Sequence, residues 1–155
     1  NIRCSAFFVV HKKSFLLYNE RTREKVSVVS IKWGDVNDMK KDVPSRTLAI
    51  IQGYANELRN IYGDKLMNVT LFGSYARGDF TEESDIDIFV VVDLNDDAIN
   101  ALRKALVHLT FETNMEHDVD IEPIVMSLTE YHHWASAHPL LKDVQKDGVS
   151  LYEAA

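Results

Sequence analysis

The stretch Leu71–Asp93, "LFGSYARGDFTEESDIDIFVVVD", decides the fold of this chain. One apolar strand runs into a Gly-Ser step, and a second apolar strand leaves from two aspartates one residue apart. Side chains two positions apart on a strand share a face, so Asp85 and Asp87 project together while Ile86 and Ile88 face the packing. Two carboxylates this close repel each other unless a cation lies between them. The stretch therefore predicts a polar site at the start of a buried strand.

The two aspartates predict a metal site as well as a polar one. Mg²⁺ commonly binds one or two protein carboxylates together with the phosphates of a substrate. A third carboxylate is expected from the strand predicted at "DVDIEPIVM", where Asp118 and Asp120 would lie on one face. Glu122 shares the face of Asp120 and is a candidate for a supporting group. Pro123 indicates an edge position or a bulge for this strand.

The turn before the aspartates has the composition of a phosphate site. Gly73 allows the backbone to come close to a ligand, and Ser74 adds a hydroxyl beside N–H groups that attract phosphate. Arg77 is suited to reaching a phosphate or bracing the acidic strand. A two-metal site facing a phosphate cradle predicts phosphoryl or nucleotidyl transfer.

These elements together match a known signature. The chain has Gly-Ser-Tyr-Ala-Arg-Gly at 73–78, then five residues, then Ser-Asp-Ile-Asp at 84–87. This run resembles G-S-x-A-R-G-x5-S-D-x-D of the small members of the DNA polymerase β nucleotidyltransferase superfamily. It is most similar to the minimal nucleotidyltransferases that are often paired with HEPN-domain toxins. The resemblance extends from about Met39 to Tyr152. It implies an α+β (α/β mixed-sheet) fold with a polymerase β-like core and flanking helices.

The resemblance also implies roles for individual residues. The nucleoside triphosphate would be held by four residues, Gly73, Ser74, Arg77 and Ser84. The catalytic and metal-binding set would be Asp85, Asp87 and Asp120 around two Mg²⁺ ions, with Asp118 as the alternative third ligand.

The activity implied by the resemblance is transfer of a nucleoside monophosphate, AMP from ATP, to a hydroxyl group. In the toxin-paired relatives the acceptor is typically a tyrosine of the HEPN partner, which makes the transferase an antitoxin. Two other functions stay open. One is an aminoglycoside-type small-molecule nucleotidyltransferase, although such enzymes usually carry an additional helical domain. The other is a non-catalytic module that neutralises the toxin by contact alone.

Composition narrows the class of protein. The 155 residues are 46% hydrophobic and 26% charged, as expected of one globular domain. A formal net charge of -7 argues against broad nucleic-acid binding. No apolar run approaches the roughly 20 residues of a membrane span. The single cysteine, Cys4, excludes an intramolecular disulfide and favours a reducing cytoplasm. The sequence leaves open whether the chain forms homo- or hetero-oligomers.

The character of the chain changes near residue 39. Residues 1–38 contain seven basic and four acidic side chains, a net charge of +3, whereas the remainder has a net charge of -10. We predict a nucleotidyltransferase domain at 39–155 after an extension at 1–38. One hypothesis makes Met39 a natural start and the extension non-native; the other makes the extension a genuine strand-rich addition, since "AFFVV", "SFLLY" and "KVSVVSIKW" predict short strands.

After residue 39 the pattern predicts helix, strand, strand, helix, strand, helix, helix. Steps of three and four from Leu48 to Tyr62 indicate the first helix, entered at Pro44 and Ser45. Asn95 should cap a helix ending near Thr113, and Ser127 with Glu130 forms a capping-box pattern. Pro139 should end that next helix, Gly148 should end a short last one, and "SLYE" is expected as a small strand or a tail. Four aromatic side chains are expected in the core: Tyr54, Tyr62, Phe72 and Phe111.

Overall fold

The computed structural model describes residues 43–154, so the predictions for residues 1–38 and for a start at Met39 lie outside the described residues. Within this range the chain has an α+β fold, as predicted. Its helices are α1 (Ser45–Tyr62), α2 (Gly73–Arg77), α3 (Asp96–His117), α4 (Leu128–Trp134) and α5 (Pro139–Asp147). Its strands are β1 (Leu66–Leu71), β2 (Ile86–Val92), β3 (Ile121–Ser127) and β4 (Val149–Glu153). None of the described helices is both long and apolar enough to cross a membrane.

The four strands form one mixed sheet in the order β3-β2-β1-β4. β1 pairs antiparallel with both β2 and β4, while β2 pairs parallel with β3. The apolar run of β2 therefore occupies an interior position, where both faces of the strand can be buried. β3 is an edge strand, which confirms the interpretation of Pro123, because a residue without an N–H is tolerated where one side has no partner. The stretch "SLYE" forms β4.

One face of the sheet, which we call the helix-covered face, packs against α1 and α3. Ile86, Ile88 and Val90 of β2 point to this side and are almost completely buried together with Ile51 and Leu58 of α1. The helical period predicted for α1 is confirmed, including its start after Pro44 and its end at Gly63. Apolar side chains recur every three or four residues along α1 and every second residue along β2, so each element has one apolar side. These two apolar sides pack against each other.

The other face of the sheet, which we call the site face, is covered only in part. Phe89 and Val91 of β2 pack here with Phe72, and α5 contributes Leu141 and Val144. This cluster covers the carboxyl half of β2. The amino end of the same strand, where Asp85 and Asp87 lie, is outside the cluster. The site face is therefore apolar at one end and polar at the other.

Helix α3 differs from its prediction at its carboxyl end. Asn95 caps its start as predicted, by accepting the Ala98 N–H at 2.9 Å. The helix continues four residues past Thr113 to His117, and Asp118 then adopts a left-handed conformation at φ 54 and ψ 56. Asp118 is therefore a helix cap, and the prediction that places it on the third strand is wrong. Aspartate tolerates this conformation better than most residues, which allows the helix to end without glycine.

The predicted aromatic core is correct for three of its four members. Tyr54, Tyr62 and Phe72 are buried, whereas the Phe111 side chain is 59% exposed. The inner face of α3 is formed instead by Ile99, Leu102, Leu106 and Leu109, which pack against the main core. The prediction for Phe111 is wrong because α3 has a second apolar row on its outer side. The Ser127 cap of α4 is confirmed, since its hydroxyl accepts the Glu130 N–H at 3.1 Å.

Candidate active site

Gly73 lies directly against Asp87. The two positions are brought together by the Phe72 N–H, which donates to the backbone carbonyl of Asp87 at 3.0 Å. Gly73 has φ +68, and a Cβ placed on it would lie 2.8 Å from Cγ of Asp87. Any side chain here would overlap the carboxylate, and the positive φ would strain it further. The glycine expected to admit a ligand therefore leaves space for the Asp87 carboxylate.

The register between β2 and β3 sets the composition of the acidic cluster. Ile86 pairs with Ile121 and Asp87 pairs with Glu122, while the Ile86 N–H donates to the Asp120 carbonyl at 2.7 Å. Side chains alternate between faces along both strands. The amino ends of β2 and β3 therefore carry an acidic cluster of four residues: Asp87 and Glu122 share the site face, and Asp85 and Asp120 come immediately before the two strands.

The charges in this cluster act on Asp87. Partial burial raises the pKa of the Asp87 carboxyl, and the negative charges of Glu122 and then Asp85 raise it further. The positive charge of Arg77 acts in the opposite direction. Ionising Asp87 is thus disfavoured by both desolvation and like charges. A cation bound beside it would relieve both the repulsion and part of the desolvation.

The two candidates for the third carboxylate occupy different elements. Asp120 is exposed immediately before β3. Its Oδ1 accepts a hydrogen bond from the Asn114 Nδ2 at 3.4 Å. Asp118 is exposed at the end of α3 and is not part of the strand. Glu122 is the direct neighbour of Asp87, a position that sequence reasoning treated only as supporting. Among residues 43–154, no three His, Cys, Asp or Glu side chains are grouped closely enough to hold a metal ion as they stand.

Asn114 is a site-forming residue that sequence reasoning missed. Its Oδ1 accepts the Ile121 N–H at 2.9 Å, and its Nδ2 donates to the Ile121 carbonyl at 3.3 Å. The side chain thus pairs with the first residue of β3 as a neighbouring strand would. This pairing fixes where β3 begins and holds Asp120 at the amino end of the cluster. An asparagine one turn before a helix end gave no signal of this role in the sequence.

The loop from α2 to β2 is held by its own side chains. The rings of Tyr75 and Phe80 stack with centroids 4.5 Å apart and an interplanar angle of 5°. The Ser84 hydroxyl accepts the Thr81 N–H at 2.9 Å, which closes the turn that leads into Asp85. A loop tied at both ends delivers the two aspartates of β2 in a defined position.

The remaining predicted nucleotide-binding residues surround this loop. Ser74 is half-buried on α2, and its carbonyl accepts the Gly78 N–H at 2.9 Å and the Asp79 N–H at 3.1 Å. Arg77 is exposed, and its Nε donates to Asp79 at 3.3 Å. An exposed ion pair of this kind contributes little stability. The Arg77 guanidinium can therefore leave Asp79 and bind an anionic ligand instead.

A separate cavity lies on the site face beyond the acidic cluster. It has a volume of about 370 Å³, and its lining includes Thr70, Phe89, Tyr131 and Ser150. None of the residues predicted to bind nucleotide or metal lines it. The cavity is therefore a different feature of the site face from the acidic cluster, in which Asp85, Asp120 and Glu122 are exposed.

The loop, the acidic strand ends and the mixed sheet define a class of protein, and the comparisons with known proteins define the same class. The nucleotidyltransferase domain family matches residues 51–146. The chain belongs to this family and is a nucleotidyltransferase with the α+β fold of the class. The family implies a nucleoside triphosphate as substrate and, typically, a divalent metal ion.

Relatives occur in Methanocaldococcus jannaschii. The protein MJ0141 is 33% identical over 82 residues, which cover 53% of this chain and 81% of the relative. The protein MJ0604 is 49% identical over 49 residues, covering 32% of this chain and 49% of the relative. Both carry the provisional name protein adenylyltransferase. A crystal structure of a toxin-antitoxin with AMP-PNP is 24% identical with a TM-score of 0.44, covering 66% of this chain and 73% of that one.

Proposed function

We propose that this nucleotidyltransferase moves AMP from ATP to a hydroxyl group on a partner protein. The observation that supports the proposal is the contact of Gly73 with Asp87, which joins the predicted nucleotide loop to the acidic strand. The provisional name of the relatives supports a protein acceptor and an adenylyl group. The exposed position of the acidic cluster agrees with an acceptor too large to enter a closed pocket.

The donor set suits Mg²⁺. All four side chains of the cluster are carboxylates, which are the hard oxygen ligands that this ion prefers, and the mutual repulsion at Asp87 favours a bound cation. Asp85, Asp87 and Asp120 would hold the two ions, with Asp118, which caps α3, as the alternative third ligand. When bound, the ions would neutralise phosphate charge and lower the pKa of the acceptor hydroxyl.

The chain's own residues would position the reactants. Gly73 and Ser74 face the triphosphate from α2, Arg77 adds positive charge, and Ser84 fixes the turn before Asp85. In the reaction, the acceptor oxygen forms a bond to the α-phosphorus while the bond from that phosphorus to the pyrophosphate oxygen breaks. The acceptor loses its proton to solvent, and pyrophosphate leaves.

We further propose that the acceptor is a tyrosine of a HEPN-domain toxin and that this chain is the antitoxin. The signature at 73–87 supports this assignment through its resemblance to the toxin-paired minimal nucleotidyltransferases. The proposal includes a cytoplasmic location and a transferase domain at 39–155. Attachment of AMP to the tyrosine would add charge and bulk at the toxin surface and thereby silence it.

The direct test is transfer of label from ATP labelled at the α-phosphate to the proposed HEPN-domain partner, sought as the product of the adjacent gene, in the presence of Mg²⁺. The wild-type chain should label the partner, and the double variant Asp85→Asn, Asp87→Asn should not. Asp93→Asn is the matched control, because Asp93 lies at the opposite end of β2 in an exposed pair with Lys65 at 3.1 Å. It should label the partner as the wild type does.

The other outcomes assign different functions. Neutralisation of the toxin without label, retained by the double variant, would replace the transferase proposal by neutralisation through contact. Label on an aminoglycoside with none on the HEPN protein would instead indicate the small-molecule enzyme. Label on a residue of the HEPN protein other than tyrosine would overturn only the choice of acceptor.

A further inference from the structure

The outer side of α3 carries a row of exposed apolar side chains. Val107 is 60% exposed, Phe111 59% and Met115 70%, and the three are four residues apart. Positions at this spacing lie one above the other on a helix. They make up three of the five large hydrophobic side chains that are exposed among residues 43–154. We call these three residues the outer row of α3.

The outer row has no part in packing α3 onto the domain. The helix is held from its opposite side, where Leu102, Leu106 and Leu109 pack against the main core. Thr110 adds a hydrogen bond of 2.8 Å to the Tyr54 hydroxyl of α1. A solvated helix face is normally polar, so three large apolar residues in line on that face indicate a surface that is covered in the working protein.

The charges beside the outer row are separated along the helix. Arg103 and Lys104 lie beside the row before Val107, Glu112 flanks its second half, and Asp118 follows Met115, whereas Glu116 points away from the row because successive residues are about 100° apart around a helix. All five of these charged residues are exposed. Two copies of α3 side by side in parallel would place like charges opposite each other. An antiparallel pair would place the basic end of each helix against the acidic end of the other.

We infer that the outer row of α3 is an interface between two copies of this chain, which pair their α3 helices antiparallel about a two-fold axis near Phe111. In this arrangement Phe111 meets its own copy, and Val107 meets Met115 of the second copy. The same patch serves both partners, as a two-fold interface requires. The inference rests on α3 alone and does not depend on the proposed function.

The position and size of the outer row set two expectations. α3 packs on the helix-covered face, so the dimer would leave the acidic cluster on the site face open to its substrates. The part of α3 from 103 to 117 is about 22 Å long, and a contact along it would be smaller than the roughly 800 Å² per partner of a standard interface. We therefore expect a dimer that dissociates on dilution.

The test is analytical ultracentrifugation of the full chain over a wide range of concentrations. The wild type should shift from monomer to dimer as its concentration rises, and Phe111→Glu should weaken association at least about tenfold. Trp134→Glu is the matched control, because Trp134 is an aromatic residue 43% exposed on α4, outside the row. It should associate like the wild type. Circular dichroism verifies that each variant is folded.

A charge exchange tests the antiparallel orientation. Lys104→Glu should weaken the dimer, and adding Asp118→Lys to it should restore association, because residues 104 and 118 lie seven positions on either side of Phe111 and the exchange recreates opposite charges across the two-fold axis. Three results would overturn the inference: a wild type that stays monomeric at every concentration, a Phe111→Glu variant that dimerises normally, or a double exchange that is no better than the single one. A monomeric wild type whose HEPN complex is lost in Phe111→Glu would assign the row to that partner.

Discussion

The two faces of the sheet place neighbouring residues of β2 in opposite environments. Ile86 and Ile88 are 1% and 0% exposed under the helices of the helix-covered face, whereas Asp87, between them, points to the open end of the site face. The helix-covered face is packed along the whole of β2, whereas on the site face the apolar packing does not extend to the strand ends where the carboxylates lie. The comparison shows that one strand supplies stability through one set of side chains and the proposed chemistry through the alternate set.

The largest expected effect on folding comes from the helix-covered face. Ile88→Ala should lower the free energy of unfolding by about 2–5 kcal/mol, because it removes buried methyl groups and leaves a cavity. Urea denaturation measures the change. The matched control is Ile124→Ala on the site face of β3, where the side chain is 38% exposed and the loss should be smaller. Equal losses at the two positions would contradict the difference between the faces.

The largest expected effect on activity comes from the site face. Asp87→Asn should lower AMP transfer at least roughly 100-fold, because the amide is neutral and cannot replace a carboxylate ligand of Mg²⁺. Transfer of α-phosphate label to the acceptor measures the change. Calorimetric titration with Mg²⁺ and a non-hydrolysable ATP analogue supplies a second readout, in which the variant should lose metal affinity. Wild-type metal affinity in Asp87→Asn would remove this residue from the proposed site.

The same substitution should alter the dependence of stability on pH. Burial and the charges of Glu122 and Asp85 raise the pKa of Asp87 in the folded chain above its ordinary value of 3.8. The folded state therefore binds a proton more readily, and stability is lost as the pH rises from 3.8 through the raised pKa. Without metal, Asp87→Asn should be at least as stable as the wild type at neutral pH and should have a flatter pH profile. If the wild type and Asp87→Asn had identical profiles of stability against pH, burial and the charges of Glu122 and Asp85 would not raise the pKa of Asp87.

Local patterns were sufficient to predict most of the fold. The period of α1, the apolar run of β2 and the caps at Asn95 and Ser127 depend on residues close together in the chain. The expectation that Asp85 and Asp87 project to the same side follows from strand geometry alone. These parts of the sequence determine their structure without knowledge of the rest of the molecule.

The errors concern contacts between distant residues. The end of α3 depends on Asn114, whose side chain binds Ile121 across the turn, and no local signal at Asp118 marks the helix cap. Glu122 becomes the neighbour of Asp87 only through the parallel register of β2 and β3. Phe111 was misplaced because α3 is apolar on two sides, and only the side of Leu102, Leu106 and Leu109 meets the core.

The contact between Gly73 and Asp87 allows a smaller test of the site face. Gly73→Ala should lower AMP transfer at least about tenfold, because the new Cβ would displace the Asp87 carboxylate and a positive φ disfavours alanine. The matched control is Gly53→Ala in α1, where a new Cβ would have nothing within 4 Å of it and alanine is the better helix former. That variant should retain activity and gain stability. Full activity in Gly73→Ala would show that the contact does not position Asp87.

The smallest expected effect again concerns the helix-covered face, at the hydrogen bond between α1 and α3. Thr110 Oγ1 donates to the Leu106 carbonyl at 2.9 Å, so the Tyr54 hydroxyl, 2.8 Å away, is the donor to Thr110. Burial raises the pKa of Tyr54 to about 12, which keeps this donor protonated. Tyr54→Phe should cost about 0.5–1.5 kcal/mol in urea denaturation and leave AMP transfer unchanged, because the bond lies across the sheet from the carboxylates. A loss of transfer without a loss of stability would mean that the helix-covered face also positions the site.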